Sequence, residues 1–371
     1  MAKINLALIC GGKSVEHEVS LISAKNVIAA LDFAKYDLSL FAVTKDGSFR
    51  FYGDYKNFLD HENDPNIVSL KETGFSNVSW SVIDGVSQAI LPSGNKRIEV
   101  VFPIMHGSFA EDGKMQGFLE MLNLPYVGPD VLASAISMDK EITKKLAEMY
   151  DIKIARYLSF STISKNDMNF AKVKEELGLP VFVKPANSGS SVGISKVDNE
   201  ADFNHAVAEA FLVDHKILIE EAVLGRELET SVLGNRDHLI VGEVGEIVPS
   251  AEHGFYSYDA KYIDESGAAL LIPAPLEVVK KQEIQEIAKK IFLICQCEGM
   301  ARVDFFMTED GEVFFNEINT IPGFTKISMY PKLIMHGTGM TYSALIDKLI
   351  DLAIARHVRN SKIRFEKRMV K

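Results

Sequence analysis

An α/β fold of more than one domain is what the sequence predicts, on three observations. The chain opens on an apolar run, Ile4–Cys10, broken by Gly11-Gly12. Leu21, Ala24, Val27 and Leu31 then recur at helical spacing before the next apolar run, Leu38–Val43, which together make a βαβ unit. At 371 residues the chain corresponds to two or three domains of roughly 150 residues each.

The remaining elements follow in order. Residues 45–95 are rich in Asn, Asp, Gly and Ser with weak periodicity, and read as loops and edge strands. Glu99–Met105 is another strand, ending at His106-Gly107; ligands of open α/β sheets sit at the carboxyl ends of strands, so His106 is well placed. From about Met138 a Lys-rich helix (Asp139–Met149) leads to a strand (Pro180–Lys184), a Gly/Ser loop (187–193) and a short strand (Ile194–Val197). A helix at Ala201–Leu212 precedes the strands Ile217–Glu221 and Leu228–Leu233. Glu243–Ile272 is unpatterned, Glu277–Glu298 is an amphipathic helix, Ala301–Asn319 is a hairpin and Tyr342–His357 is the last helix. The basic tail from Arg356 on reads as a frayed terminus complementing a helix dipole.

Composition narrows the class. Hydrophobic residues at 47% and charged residues at 25% permit packed cores and exclude wholesale disorder. A formal net charge of −11 argues against a nucleic-acid-coating surface, so any anionic substrate must be held by a few placed Lys and Arg side chains. Cys10, Cys295 and Cys297 fit neither a disulfide framework nor a C-x-x-C site, and read as buried thiols in a reducing compartment. No apolar run approaches a membrane span of ~18 residues. The Ile4–Cys10 run lacks a small-residue cleavage site behind it, so a soluble, cytoplasmic enzyme is expected.

Three segments carry chemistry. Gly12-Lys13-Ser14 fails as a P-loop, because Ala7 stands where that motif needs glycine. The Gly/Ser loop lies between two strands; Gly189, Ser190, Ser191 and Gly193 offer backbone N–H groups to phosphate oxygens, with Lys184 and Lys140 as adjacent point charges. In the hairpin, a two-residue Asp310-Gly311 turn sets Asp304 opposite Glu317, Arg302 opposite Asn319 and Phe306 opposite Phe315, all on one face. Opposed carboxylates on a partly buried face require a cation or raised pKa values. The hard oxygens of Asp304, Glu317 and Asn319 suit Mg²⁺, so ATP is the economical ligand for loop and hairpin together. Residues 243–272 have the length of a lid and carry Phe255, Tyr256, Tyr258, Lys261 and Tyr262.

At this point the chain resembles the D-alanine–D-alanine ligases of the ATP-grasp superfamily. The matching segments are residues 11–20, 106–117, 138–140, 183–193, 256–262, 299–306 and 316–331, in that order and across most of the chain. The resemblance implies a three-domain ATP-grasp fold: 1–128 an N-terminal α/β substrate domain with a Rossmann-like parallel sheet, 129–224 a central lobe, and 225–371 a C-terminal lobe with lid and metal hairpin. ATP would lie between the last two, near Lys140, Lys184, Ser190, the linker Glu220, Glu221, Ala222 and Val223, the ribose-binding Glu227, Lys261 and Phe306.

The implied chemistry is ligation of two D-alanines through a D-alanyl phosphate, for peptidoglycan synthesis. Two Mg²⁺ ions, with Mn²⁺ as an alternative, would bind at Asp304, Glu317 and Asn319. Glu16 would anchor the first substrate's ammonium, with His106 nearby, and Ser328 and Met329 the second substrate's carboxylate. Arg302 and the Gly323 N–H would stabilise the oxyanion, and Glu16, Ser190 and Tyr262 would form a hydrogen-bonded trio. A homodimer is implied by the resemblance alone. Rival readings are a ligase with another acceptor, a depsipeptide ligase using D-lactate (whose lid residue is commonly His or Phe, here Tyr262), and an inactive nucleotide sensor. The last would be expected to lose Arg302 or a metal ligand, and none is missing.

Overall fold

The structure, a computed structural model, describes residues 2–61, 68–249 and 268–363. β1 (Ile4–Gly11), α1 (His17–Ala30) and β2 (Tyr36–Val43) form the expected βαβ unit, with β1 and β2 parallel. Gly11 has φ +82°, and a Cβ there would lie 2.3 Å from the Val43 carbonyl oxygen, so the turn demands glycine. Its consequence is to deliver Glu16 to the N-terminus of α1, at the carboxyl end of the sheet. Residues 45–97 hold short strands: β3 (Phe49–Tyr52), β4 (Leu59–His61), β5 (Val68–Leu70), β6 (Phe75–Asn77), β7 (Ser79–Ile83), β8 (Val86–Ile90) and β9 (Lys96–Arg97). With β10 (Val100–Pro103) parallel on the far side of β1, the first sheet has the order β10-β1-β2-β3-β6.

α2 (Lys114–Met121) and α3 (Val131–Met138) are too short to declare a period in sequence. α4 (Lys140–Met149) is the Lys-rich helix, capped by Asp139, whose carboxylate accepts from the Glu141 and Ile142 N–H groups. The second sheet, of order β11-β14-β12-β13, comprises β11 (Tyr157–Ser161), β12 (Val181–Pro185), β13 (Ser195–Val197) and β14 (Lys216–Glu221). α5 (Phe170–Leu177) and α6 (Glu200–Val213) cover it through Val173, Leu177, Phe203 and Ala206. β12 and β13 pair antiparallel, so the Gly/Ser loop is the expected hairpin connection.

The third sheet, of order β17-β16-β15-β18-β19, is antiparallel throughout. It comprises β15 (Arg226–Asn235), β16 (His238–Pro249), β17 (Ala268–Leu271), β18 (Gly299–Met307) and β19 (Val313–Asn319), and α7 (Val278–Ile294) packs beneath it. The unpatterned stretch expected at 243–272 is therefore corrected at both ends, where residues belong to β16 and β17. Glycines disguised β16: a Cβ on Gly245 would lie 2.3 Å from Met329 Cε, where α8 (Met329–Thr338) crosses the strand. Acids disguised it too, since Glu246 is held by Arg226 at 2.6 Å and Glu243 by Lys281. Residues 250–267, with Phe255, Tyr256, Tyr258, Lys261 and Tyr262, lie outside the described residues.

The β18–β19 hairpin corrects a second expectation. Pairing ends at Met307–Val313; the Gly311 N–H donates to Thr308 O, and Gly311 takes φ +83°. The connection is one residue longer than a two-residue turn, with the glycine in the left-handed region. A bulge at Asn316 then adds one residue back. The two offsets cancel, so Asp304 faces Glu317 and Arg302 faces Asn319 as expected, but Phe306 faces Phe314. Phe305 and Phe315 form the interior aromatic pair on the opposite face.

α9 (Tyr342–Asn360) closes the chain and packs Leu345, Ile346, Leu349 and Ile350 into one core with Leu6, Leu8 and Phe102 of the first sheet. Phe324 and Tyr330 join the same core. The basic run was expected to fray, yet Arg356 is buried: it donates to the carbonyls of Gly128 and Tyr126 and lies 4.6 Å from the Tyr126 ring centroid. Arg359 pairs with Glu298 at 2.6 Å. Residues 364–371 lie outside the described residues. The three cysteines are free and buried, as expected, and burial pushes the Cys295 thiol up to about 12. No helix among the described residues is long and apolar enough to cross a membrane. Arg356→Leu should strip two buried carbonyls of their donor and destabilise the chain by about 2–4 kcal/mol. Urea denaturation checks this, and an unchanged midpoint refutes it.

Candidate active site

Antiparallel pairing places two rows of side chains across one face of β15, β18 and β19. One row is Glu229, Asp304 and Glu317; the other is Ser231, Arg302 and Asn319. Three carboxylates side by side repel one another, and cations answer them. Arg302 donates from Nε to Asp304 Oδ1 and from Nη2 to Asp304 Oδ2, both at 2.7 Å, and its Nε lies 3.0 Å from Glu229 Oε2. Burial opposes the guanidinium's charge, but Asp304 and Glu229 outweigh it and keep Arg302 protonated well above its ordinary range. Asn319 Nδ2 donates to Asp304 Oδ2 at 3.0 Å, and Lys140 Nζ lies 3.3 Å from Glu317 Oε2.

Lys140 also ties the Gly/Ser loop down, donating to the Ser188 carbonyl at 2.6 Å. One turn along α4, Lys144 is 1% exposed and lies 3.3 Å from Glu220 Oε1, while Lys184 donates to Glu220 Oε2 at 2.7 Å. Burial opposes the Glu220 charge, but Lys144 and Lys184 hold it below the usual carboxylate range. Sequence reasoning missed Lys144, although its position four residues after Lys140 sets both on one helix face. Strand alternation points Glu221 the other way, where Arg156 Nε donates to it at 2.6 Å. Glu227 pairs with Phe306 across β15 and β18.

The first sheet supplies the facing wall. Glu16 is buried at 6% exposure, and Ser190 donates a short hydrogen bond to its Oε1. A Cβ on Gly107 would lie 2.5 Å from Glu16 Oε2, and one on Gly189 2.8 Å from it, so two glycines make room for this carboxylate. Glu111, also missed, accepts from Gly107 N at 2.8 Å and from Ile321 N at 2.9 Å. Burial, and next the Glu16 carboxylate, push the Glu111 carboxyl above its ordinary range. Ser328 Oγ accepts from the Thr325 N–H at 2.9 Å and would lie 2.6 Å from a Cβ on Gly323. Glu16, His106, Ser190, Arg302, Gly323 and Ser328 border a single cleft, with Glu317, Asn319 and Met329 beside them. Lys184, Glu220 and Glu221 stand on the second sheet, with Ala222 and Val223 just past the end of β14, and none of these borders the cleft; Lys261 and Tyr262 lie outside the described residues.

His106 is a strut in this wall. Its Nδ1 contacts the Ile321 carbonyl at 2.8 Å, which can only accept, so Nδ1 carries the proton and Nε2 accepts from Ser23 Oγ at 3.1 Å. Ser23 Oγ in turn accepts from the Phe324 N–H, and the network fixes the 321–324 loop bearing Gly323. Burial lowers the imidazole from 6.5 to about 4, so it is neutral near neutral pH and both ring nitrogens are engaged.

Two family models match the chain: D-ala D-ala ligase N-terminus over residues 5–129 and D-ala D-ala ligase C-terminus over residues 146–351. A D-alanine–D-alanine ligase of Oceanobacillus iheyensis is 48% identical over 98% of both chains. D-alanine–D-alanine ligase A of Escherichia coli K12 is 43% identical over 98% of this chain and 99% of its own. Among solved structures, the D-alanine-D-alanine ligase of Coxiella burnetii matches with a TM-score of 0.84 at 36% identity, covering 98% of this chain and 97% of that one. The VanG D-Ala:D-Ser ligase of Enterococcus faecalis matches with a TM-score of 0.82 at 34% identity, covering 95% and 100%.

An unfolded histidine protonates near 6.5 and buried His106 only near 4, so its contribution favours folding above pH 6.5 and fades as pH falls toward 4. His106→Gln should remove roughly 3 kcal/mol of that pH-dependent change in stability. Parallel pH profiles of unfolding for parent and variant would refute the buried neutral ring.

Proposed function

The chain belongs to the D-alanine–D-alanine ligase family, with its ATP-grasp fold, and we infer that its cleft joins two D-alanines using ATP. One D-alanine carboxylate attacks the γ-phosphate of ATP, releasing ADP and forming D-alanyl phosphate. The amine of the second D-alanine attacks the carbonyl, and the tetrahedral oxyanion collapses to expel phosphate. The product, D-alanyl-D-alanine, serves cell-wall peptidoglycan synthesis. The observation that carries this reading is the convergence of Glu16, Arg302, Gly323 and Ser328, from different parts of the chain, on one cleft.

In this reading Glu16 holds the first ammonium and Ser328 with the Met329 N–H holds the second carboxylate. Arg302 and the Gly323 N–H receive the oxyanion, and His106 and Glu111 fix the loop that presents Gly323. Lys140, Lys184 and the Ser190 loop take the ATP phosphates. The 220–223 linker and Phe306 take adenine, and Glu227 takes the ribose. The family resemblance assigns Lys261 to the phosphates and Tyr262 to a trio with Ser190 and Glu16; both lie outside the described residues. Domain limits at 1–128, 129–224 and 225–371 accord with this division of labour, and a cytoplasmic homodimer is the assembly that the family resemblance implies.

Asp304, Glu317 and Asn319 fit a hard divalent cation, since they present oxygen donors from adjacent strands on one face. Arg302 and Lys140 already place positive charge there, which supports a site built for cations. Two Mg²⁺ ions, or Mn²⁺, would be held by these residues and, when bound, supply charge that offsets the transferring phosphoryl group.

ADP release assays test the reading. Turnover is expected with D-alanine alone and not with L-alanine; ADP release only after D-serine or D-lactate is added would overturn the choice of second substrate. Arg302→Lys keeps the charge but loses the planar fork, and kcat should fall about 10²-fold with little change in KM for ATP. Near-parental turnover removes Arg302 from the transition state.

A further inference from the structure

β15 contributes to the site face a carboxylate with no task so far. Glu229 stands opposite Asp304 in the sheet and is 5% exposed, and a buried carboxylate needs a cation. Arg302 provides it, with Nε 3.0 Å from Glu229 Oε2. The same Nε also donates to Asp304 Oδ1 at 2.7 Å, and Nη2 donates to Asp304 Oδ2 at 2.7 Å. One guanidinium thus serves two carboxylates: its Nε hydrogen-bonds Asp304 and makes an ionic contact with Glu229.

This arrangement meets a difficulty if Asp304 binds a divalent cation. Both Asp304 oxygens accept from Arg302, so a divalent cation bound there would set its charge directly against the guanidinium and repel it. With Asp304 as its only anchor, Arg302 would be repelled from the site when its charge is needed at the oxyanion. Glu229 supplies a second anchor that is already in contact.

We propose that Glu229 is a positioning residue that retains Arg302 when a divalent cation takes Asp304, moving the guanidinium from the two-pronged Asp304 contact onto Glu229. The transfer turns the freed Nη edge toward the cleft that Glu229, Arg302 and Gly323 all border. Little motion is required, because Nε is already beside Glu229. The inference rests on the proposed metal role of Asp304, Glu317 and Asn319 and on the oxyanion role of Arg302.

Two measurements on the full chain test it. A crystal structure with ADP and Mg²⁺ should show metal on Asp304 and Glu317, and Arg302 off Asp304 and on Glu229. Arg302 still clamped to Asp304, or Glu229 itself ligating the metal, overturns the proposal. Absence of metal from Asp304 overturns the metal reading instead, and this inference with it. In steady-state assays at saturating ATP, Mg²⁺ and D-alanine, Glu229→Gln should lower kcat about tenfold, within the roughly 10²-fold that misplacing a catalytic group can cost. KM for ATP and the melting temperature should stay near parental. Added to Arg302→Met, Glu229→Gln should cost nothing further. A second tenfold loss in that background means Glu229 acts independently of Arg302 and refutes the assignment.

Discussion

Three carboxylates in one row, Glu229, Asp304 and Glu317, are the constraint around which the site is organised. Adjacent strands place them within mutual repulsion on a largely buried face, which only opposite charge can relieve. The relief comes from Arg302 on the same sheet and from Lys140, which arrives on α4. The row therefore does more than await a metal. It draws α4, and through the Lys140–Ser188 contact the Gly/Ser loop, onto the same face.

The opposite wall is held by apolar packing and by a few directed hydrogen bonds. α9 shares a core with the first sheet, so the carboxyl ends of β1 and β10 are docked against the 321–328 loop. Across that junction His106 binds the Ile321 carbonyl, and Glu111 binds the Ile321 N–H. Both side chains come from the segment after β10 and both grip a single peptide-bearing residue two positions before Gly323. The loop that would present an N–H to the oxyanion is thus set by groups of the N-terminal sheet, which also sets Glu16. Glu16 and Gly323 share one rigid reference.

The hairpin shows how far local rules reach. The Asp-Gly turn and strand alternation correctly set Asp304 opposite Glu317, yet the loop is one residue longer than the rule assumes and the bulge at Asn316 restores the count. Phe306 and Phe315 reveal the offset, because they lie between the two irregularities. β16 shows the converse: Gly242, Gly245 and its acids erase the alternation, and the reason lies in α8, far along the chain, and in Arg226 on the neighbouring strand. Arg356 looked like part of a loose basic end because nothing nearby in sequence announces two carbonyls at residues 126 and 128.

By itself the sequence determined the local elements and the residue types: the βαβ opening, the glycine turn before Glu16, the Gly/Ser hairpin, and an acid pair on one hairpin face. These follow from periodicity, glycine conformation and strand alternation, all of which act over a few residues. Tertiary structure alone decided that Glu229 completes the row, that Lys144 lies buried against Glu220, and that His106 spends both ring nitrogens on hydrogen bonds to the wall. Each of those depends on which distant segment supplies the neighbour, because burial and ion pairing are properties of the packed space between elements.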